Sequence, residues 1–399
     1  ITPDNFYQTS DEVLGGLASV YAQLRSMLPG HGDYYNVIEV SSDEMIVPTR
    51  GSDWFDQGRW LELHRHTWAA NSPSGLADMN GAWSAPYAGI TRANVVLEAL
   101  EKVTVADQAV VEAELRALRA FFYYLLNDLF GGVPIVETSE IEARPRNTRK
   151  EVFDFIDKEL NEARQALPDR WDASSHGRMT RGAVDAILAS MYLNAGVFAR
   201  DDGVSATQYN SCTQVQVGGQ NACQAAIAAA DRILNSGVYS LASTWRSNFT
   251  ADNQLSPENI LVAKLIAEDG LGMRILQTTL HYNQFTPSPW NGFSTLAETY
   301  YAFDQDDQRR QLSFLVGPQV NLETGQAVTD RPGNPLVFTP EIANAEQATE
   351  AEGARIGKWP HDPNHVGPDN GNDFAYFRLA EIYLIKAEAL NELSPGSGQ

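Results

Sequence analysis

Between Glu112 and Val136 the apolar positions Leu115, Leu118, Phe122, Leu125, Leu126 and Leu129 recur at the three- and four-residue spacings of one helix face. A second face of small residues, Ala113, Ala117 and Ala120, predicts packing partners on two sides. Glu112 and Arg116 occupy a thin polar strip, Gly131-Gly132 supplies a stop and Pro134 forbids continuation, so the pattern predicts a helix over 106–130. Similar stripes recur along the chain. A capping box at Thr9 and Glu12 opens a predicted helix over 10–28, and another at Thr148 and Glu151 opens one over 149–167. Further stripes predict helices over 79–101, kinked early by Pro86, over 181–199, 222–236 and 374–393. Asn94 falls inside an apolar stripe, where a structural hydrogen bond to a neighbouring loop is expected of it.

The stretches between these helices read differently. From His31 to Ser74 periodicity is lost, and Trp54, Phe55, Trp60 and Trp68 stand among Asp, Arg, Asn and Gly. Such rings either plug the loop onto the body as a satellite core or form a stacking platform. Beyond Ser256, NILVAKLI is β-like, a loop rich in Tyr, Trp, Asn and Pro runs to Ser294, and Thr295 with Glu298 predicts a cap for a helix through Phe303. Residues 311–340 alternate short β-like runs with Gly and Pro, and 341–373 is mostly loop. The fold class expected is therefore dominated by α-helices. Tetratricopeptide-like pairs with small-residue seams pack against a loop-rich lobe with short β-strands.

Charge narrows the partners. Against 29 Lys and Arg stand 51 Asp and Glu, a formal net charge of -22, which repels nucleic acid and anionic membrane surfaces. No run approaches the ~20 apolar residues of a membrane span. The chain begins at Ile1, so a processed or trimmed start is expected. His64 and His66 in HRH lack a third ligand at metal spacing. His361 and His365 flank Asp362 in HDPNH as a weak metal pattern, and two nearby prolines oppose the helix that would align them. The acidic run at Asp304, Asp306 and Asp307 lacks the glycine and terminal glutamate of a calcium loop. GLGMRI at Gly270 lacks the third glycine of a dinucleotide loop. Neither metal nor cofactor is expected, and no catalytic motif is found, although abundant carboxylates leave room for a hidden glycosidase pair. Cys212 and Cys223 would close a short loop if bonded, and would be thiols in the cytosol.

The central run, with Ala113, Glu114, Leu118, Arg119, Ala120, Phe121, Tyr123, Phe130, Gly131, Val133 and Pro134, resembles the characteristic helix of the SusD/RagB family of outer-membrane nutrient-binding lipoproteins. Further similar stretches follow in family order: Trp83 to Asn94, GRxT at Gly177 to Thr180, SGVYSL at Ser236 to Leu241, WNG at Trp290 to Gly292, and FRLAEIYLIKAEAL at Phe377 to Leu390. The resemblance implies a single body over 1–399. Its scaffold of helix pairs occupies about 1–250 and 374–393, and its ligand lobe about 31–75 and 251–373. It also implies a closing segment beyond Gln399 and a lipidated cysteine before Ile1, hence a place on the extracellular face of the outer membrane. In that compartment Cys212 and Cys223 are expected to be bonded.

The function implied is non-enzymatic capture of a glycan or similar nutrient oligomer and its delivery to a SusC-like TonB-dependent transporter. A protein-binding helical adaptor and a glycoside hydrolase are the alternatives. For the ligand site the resemblance pairs the two aromatic loops. Trp54, Trp60, Tyr282 and Trp290 are the expected platforms, with Arg50, Asp53 and Asn291 as polar partners.

Overall fold

The computed structural model describes residues 6–200, 203, 205 and 210–398. In chain order its main helices are α1 (Ser10–Arg25), α2 (Asp33–Val40), α3 (Arg59–His64), α4 (Asn80–Leu100), α5 (Gln108–Phe130), α6 (Arg149–Ala163), α7 (Arg181–Leu193), α8 (Ala195–Phe198), α9 (Ala222–Leu234) and α10 (Leu379–Leu393). Helix α1 packs on α4, α4 on α5, α5 on α6, α7 on α9, and α9 on α10, so each pair buries its apolar face against the next. Both predicted capping boxes form, at Thr9 with Glu12 and at Thr148 with Glu151. A third, unforeseen, joins Asn221 to Gln224 ahead of α9. Gly131 ends α5 at φ 72°, a left-handed position open to glycine without a Cβ penalty. A π-helical turn, Gly75–Met79, leads into α4, which carries Pro86 in its early turns.

Buried polar side chains join the pairs. Glu114 of α5, wholly buried, accepts from the Tyr21 hydroxyl at 2.6 Å and from Arg178 Nε at 2.9 Å. Arg119 donates to Glu159 Oε2 of α6 at 3.0 Å and to Asn94 Oδ1 of α4 at 2.8 Å. The Asn94 amide in turn donates to the carbonyls of Val136 and Thr138 at 2.9 and 3.1 Å, the structural bond expected of it. Arg116 reaches Glu112 only at 4.0 Å and instead pairs with Glu159 at 2.6 Å. The polar strip of α5 is thus a helix-to-helix contact rather than a solvent face.

Among the strands, β1 (Met45–Ile46), β2 (Asn259–Ala263), β3 (Ser294–Thr295) and β4 (Phe374–Arg378) position the lobe. β1 pairs with β3 and β2 with β4, both antiparallel. Four local expectations change. The helix expected over 181–199 is interrupted at Asn194, between α7 and α8. Residues 374–378 form β4 instead of the first turn of α10, because this aromatic-rich run finds a partner strand in β2 and Arg378 stays extended as the cap of α10. Thr295 lies in β3 and does not cap the following helix, Ala297–Ala302, which starts after Leu296 with no side-chain cap. The loop from His31 to Ser74 contains α2 and α3, whose few turns are too short to show a period.

Cys212 and Cys223 are bonded, with Cα atoms 5.0 Å apart, fastening the end of the 199–221 insertion to the first turn of α9. Within that insertion, residues 201, 202, 204 and 206–209 lie outside the described residues.

Candidate functional site

Two loops distant in sequence meet at the lobe. The first makes a tight turn at Arg50 to Asp53, closed by reciprocal backbone bonds of 2.9 and 3.0 Å. Trp54, Asp56 and Gln57 then follow with φ of 62°, 38° and 58°. Three non-glycine residues in this sparsely allowed region persist only where surrounding contacts over-determine them. Here the contact is Trp54, whose indole N–H donates to the Trp290 carbonyl at 2.7 Å and whose ring lies on Gly292. A Cβ at Gly292 would stand 2.3 Å from that ring, so only glycine admits the approach. The WNG run therefore has a local cause.

Behind the rings lies a clamp of two buried arginines. Arg50 donates to the carbonyls of Asn291 at 2.9 Å, Thr349 at 2.8 Å and Glu352 at 2.9 Å. Arg355, wholly buried, donates to the carbonyls of Glu350 and Glu352, both at 2.8 Å, and to that of Gly353. Both guanidiniums also share the Ser294 hydroxyl, at 2.8 and 2.9 Å. Asn291, at φ 53°, accepts from Arg355 through its side-chain oxygen at 2.8 Å and donates to the Glu350 carbonyl at 3.2 Å. Burial pulls Arg50 down to about 10, still charged at neutral pH, and pulls Arg355 down as well.

The outer layer is wetter. Tyr282 donates its hydroxyl to Asp53 at 2.6 Å, and Arg331 pairs with the same carboxylate while lying 4.1 Å over the Tyr282 ring. Burial pushes the Tyr282 phenol up to about 12, and the bond to Asp53 adds to it. Burial also works to raise Asp53, but the bonds from Tyr282 and Arg331 outweigh it and hold the carboxyl below its ordinary value. Glu350 completes the cluster, accepting from Arg331 and from the buried His281 at 2.9 Å.

All seven residues expected at the site thus come together, at different depths. Trp290 is 43% exposed, and Trp54, Tyr282 and Asp53 are half-buried. Trp60, Arg50 and Asn291 are buried. Trp60 backs Trp54 at a ring separation of 5.3 Å and donates its N–H to Asp56 at 2.7 Å. These three hold the platform rather than face outward. Sequence reasoning missed Arg331, which carried no signal in the chain. A cavity of about 640 Å³ lies elsewhere, around His176, Lys264 and His361, and has no Trp, Tyr or Phe in its lining. The aromatic surface is the better candidate, because, unlike that cavity, it combines exposed rings with fixed polar groups.

Two family models match successive parts of the chain. Residues 11–193 match a SusD-like family described as "Starch-binding associating with outer membrane", and residues 220–398 match the SusD family model itself. The chain belongs to the SusD/RagB family. A SusD-like protein of Bacteroides ovatus is 34% identical over 217 residues, 45% of this chain, which spans 39% of that relative's length. The SusD/RagB architecture also recurs among solved structures. A laminarin-binding SusD-like protein superposes with a TM-score of 0.73 at 22% identity, over 96% of this chain and 80% of its own. A surface glycan-binding protein A from Bacteroides thetaiotaomicron, in complex with laminarihexaose, does so with 0.70 at 19% identity, over 98% and 80%.

Proposed function

We propose that this protein captures a glycan or a similar nutrient oligomer at the outer face of the outer membrane and passes it to a SusC-like TonB-dependent transporter without cleaving it. The observation that carries the reading is the platform of Trp54, Trp290 and Tyr282 beside the fixed polar pair Asp53 and Arg331. Sugar rings offer C–H faces to aromatic rings and hydroxyls to such pairs. We assign the ligand lobe to residues 31–75 and 251–373, on the helical scaffold of the remainder. Membership of the family supports the location and the transporter partner. The ligands of two solved relatives, laminarin and laminarihexaose, make β-glucan oligomers the first probes.

At this platform a hydrolytic role is disfavoured by the electrostatics. A general acid needs a carboxyl raised toward neutrality, whereas Asp53, beside the rings, is lowered. Each stacked ring contributes about 0.5–1.5 kcal/mol, which for an open, wet site gives affinities between about millimolar and micromolar.

The test is calorimetry with a panel of oligosaccharides on the wild type, Trp54→Ala and Trp290→Ala, each shown to be folded by circular dichroism. Either substitution is expected to weaken binding roughly 2- to 13-fold, and chromatography is expected to return the oligosaccharides intact. Unchanged affinity in both folded variants would move the site elsewhere, and shortened products would restore the hydrolase.

A further inference from the structure

A cavity of about 290 Å³ shares no lining residue with that aromatic surface. Five rings from separate segments enclose it: Tyr35 of α2, Trp245, Phe303, Phe314 and Trp359. Tyr35 and Trp359 are buried, whereas Trp245, Phe303 and Phe314 are half-buried and keep accessible faces. Besides Arg309, which is paired with Asp307 at 2.6 Å, three charged side chains line the same space: Glu39 of α2, Glu44 just ahead of β1, and Lys358. Among the described residues none of the three makes a side-chain hydrogen bond or ion pair. The Lys358 ammonium instead rests 4.9 and 5.0 Å from the Trp359 and Phe249 ring centres. Trp359 itself is 6% exposed, and its indole N–H has no hydrogen-bond partner. A buried donor without a partner calls for an explanation, because such groups are rare in folded proteins.

The Lys358 ammonium interacts with both carboxylates through space but is hydrogen-bonded to neither, so all three keep bonding capacity for a third molecule. The two carboxylates can accept from donors, and the ammonium can donate to acceptors. Adjacent hydroxyls on a ring supply both at once, while the ring's C–H faces lie against aromatic surfaces. The volume is near the lower limit of ligand pockets and equals the share of about ten waters, enough for one ring and too small for a chain. Opposite charges in the lining favour a neutral guest. A free amino acid would satisfy the charges, yet would leave most of the rings uncovered.

We propose that this cavity is a second binding site, which takes a single neutral sugar ring. It uses none of the residues of the Trp54 and Trp290 platform, so the two sites stand or fall separately.

The experiment is saturation-transfer NMR on the full chain with free hexoses, pentoses and, separately, amino acids, each at about 10 mM, where a millimolar site is mostly filled. At least one monosaccharide is expected to bind the wild type, and Trp290→Ala is expected to bind it equally well. Glu39→Gln, which keeps the side-chain shape, and Lys358→Met are each expected to weaken it at least tenfold, with unaltered melting of Glu39→Gln at pH 5 as the control for folding. Three results would overturn the proposal: no monosaccharide binding by the wild type, binding that survives both cavity substitutions, or binding lost in Trp290→Ala. Binding of an amino acid in place of every sugar would overturn the assignment of the ligand.

Discussion

Glu39 and Glu381 are carboxyls that burial pushes up to about 7, with Glu44 adding to the effect at Glu39. In the unfolded chain both titrate near their ordinary value, so between that value and about 7 the folded state holds protons that the unfolded state has released. Stability from these groups is therefore complete at acid pH and is lost as pH rises through about 7. Glu39→Gln removes the titration, and is expected to stabilise the protein by on the order of 1–3 kcal/mol at pH 8 and by little at pH 5, measured by urea unfolding at both. A variant no more stable at pH 8 than at pH 5 would show that Glu39 is solvated. At this scale the resemblance, and no spacing in the chain, implied which residues gather, and their depth was not legible. Trp54 and Trp60 look alike in the chain, and which of them is covered depends on Phe293 and Trp290 arriving from a remote loop. Arg331 sits in a turn with no period, so only the fold brings it to Asp53.

Helices with four or more turns were legible because their apolar stripes repeat often enough to define a face, and because Thr9, Thr148 and Gly131 mark their ends. The motif residues Glu114, Arg119 and Arg178 were visible only as a resemblance. Their work depends on partners more than twenty positions away, Asn94, Glu159 and Tyr21. The strand at 374–378 was misjudged for the same reason, since pairing with β2 is a long-range event. If the buried bonds of Arg119 tie three helices together, Arg119→Ala leaves Glu159 and Asn94 short of a partner and should cost about 3–5 kcal/mol in urea unfolding. A loss below about 1 kcal/mol would mean that Arg116, which also reaches Glu159, takes over the contact.

Across the whole molecule, an excess of 22 negative charges favours expansion, and packing of the helix pairs must oppose it. The bond between Cys212 and Cys223 acts on the same balance from the unfolded side, since it shortens the free chain across a separation of 11 residues. Replacing both cysteines by serine is expected to lower stability by about 3 kcal/mol in the chain-entropy model while leaving oligosaccharide affinity unchanged, because the bridge lies in the scaffold. Loss of affinity alongside stability would tie the insertion to the site. The arginine clamp under the platform has a different bearing. Arg50 and Arg355 are gripped by the carbonyls of Asn291, Thr349, Glu350, Glu352 and Gly353, and every amino acid brings a carbonyl. At Thr349 and Glu352 a substitution therefore leaves the grip on the arginines in place. Gly353, at φ 85° and with a would-be Cβ 2.7 Å from Ser294, admits no side chain. The footing thus tolerates change at some of its positions and forbids it at the one beside the shared hydroxyl.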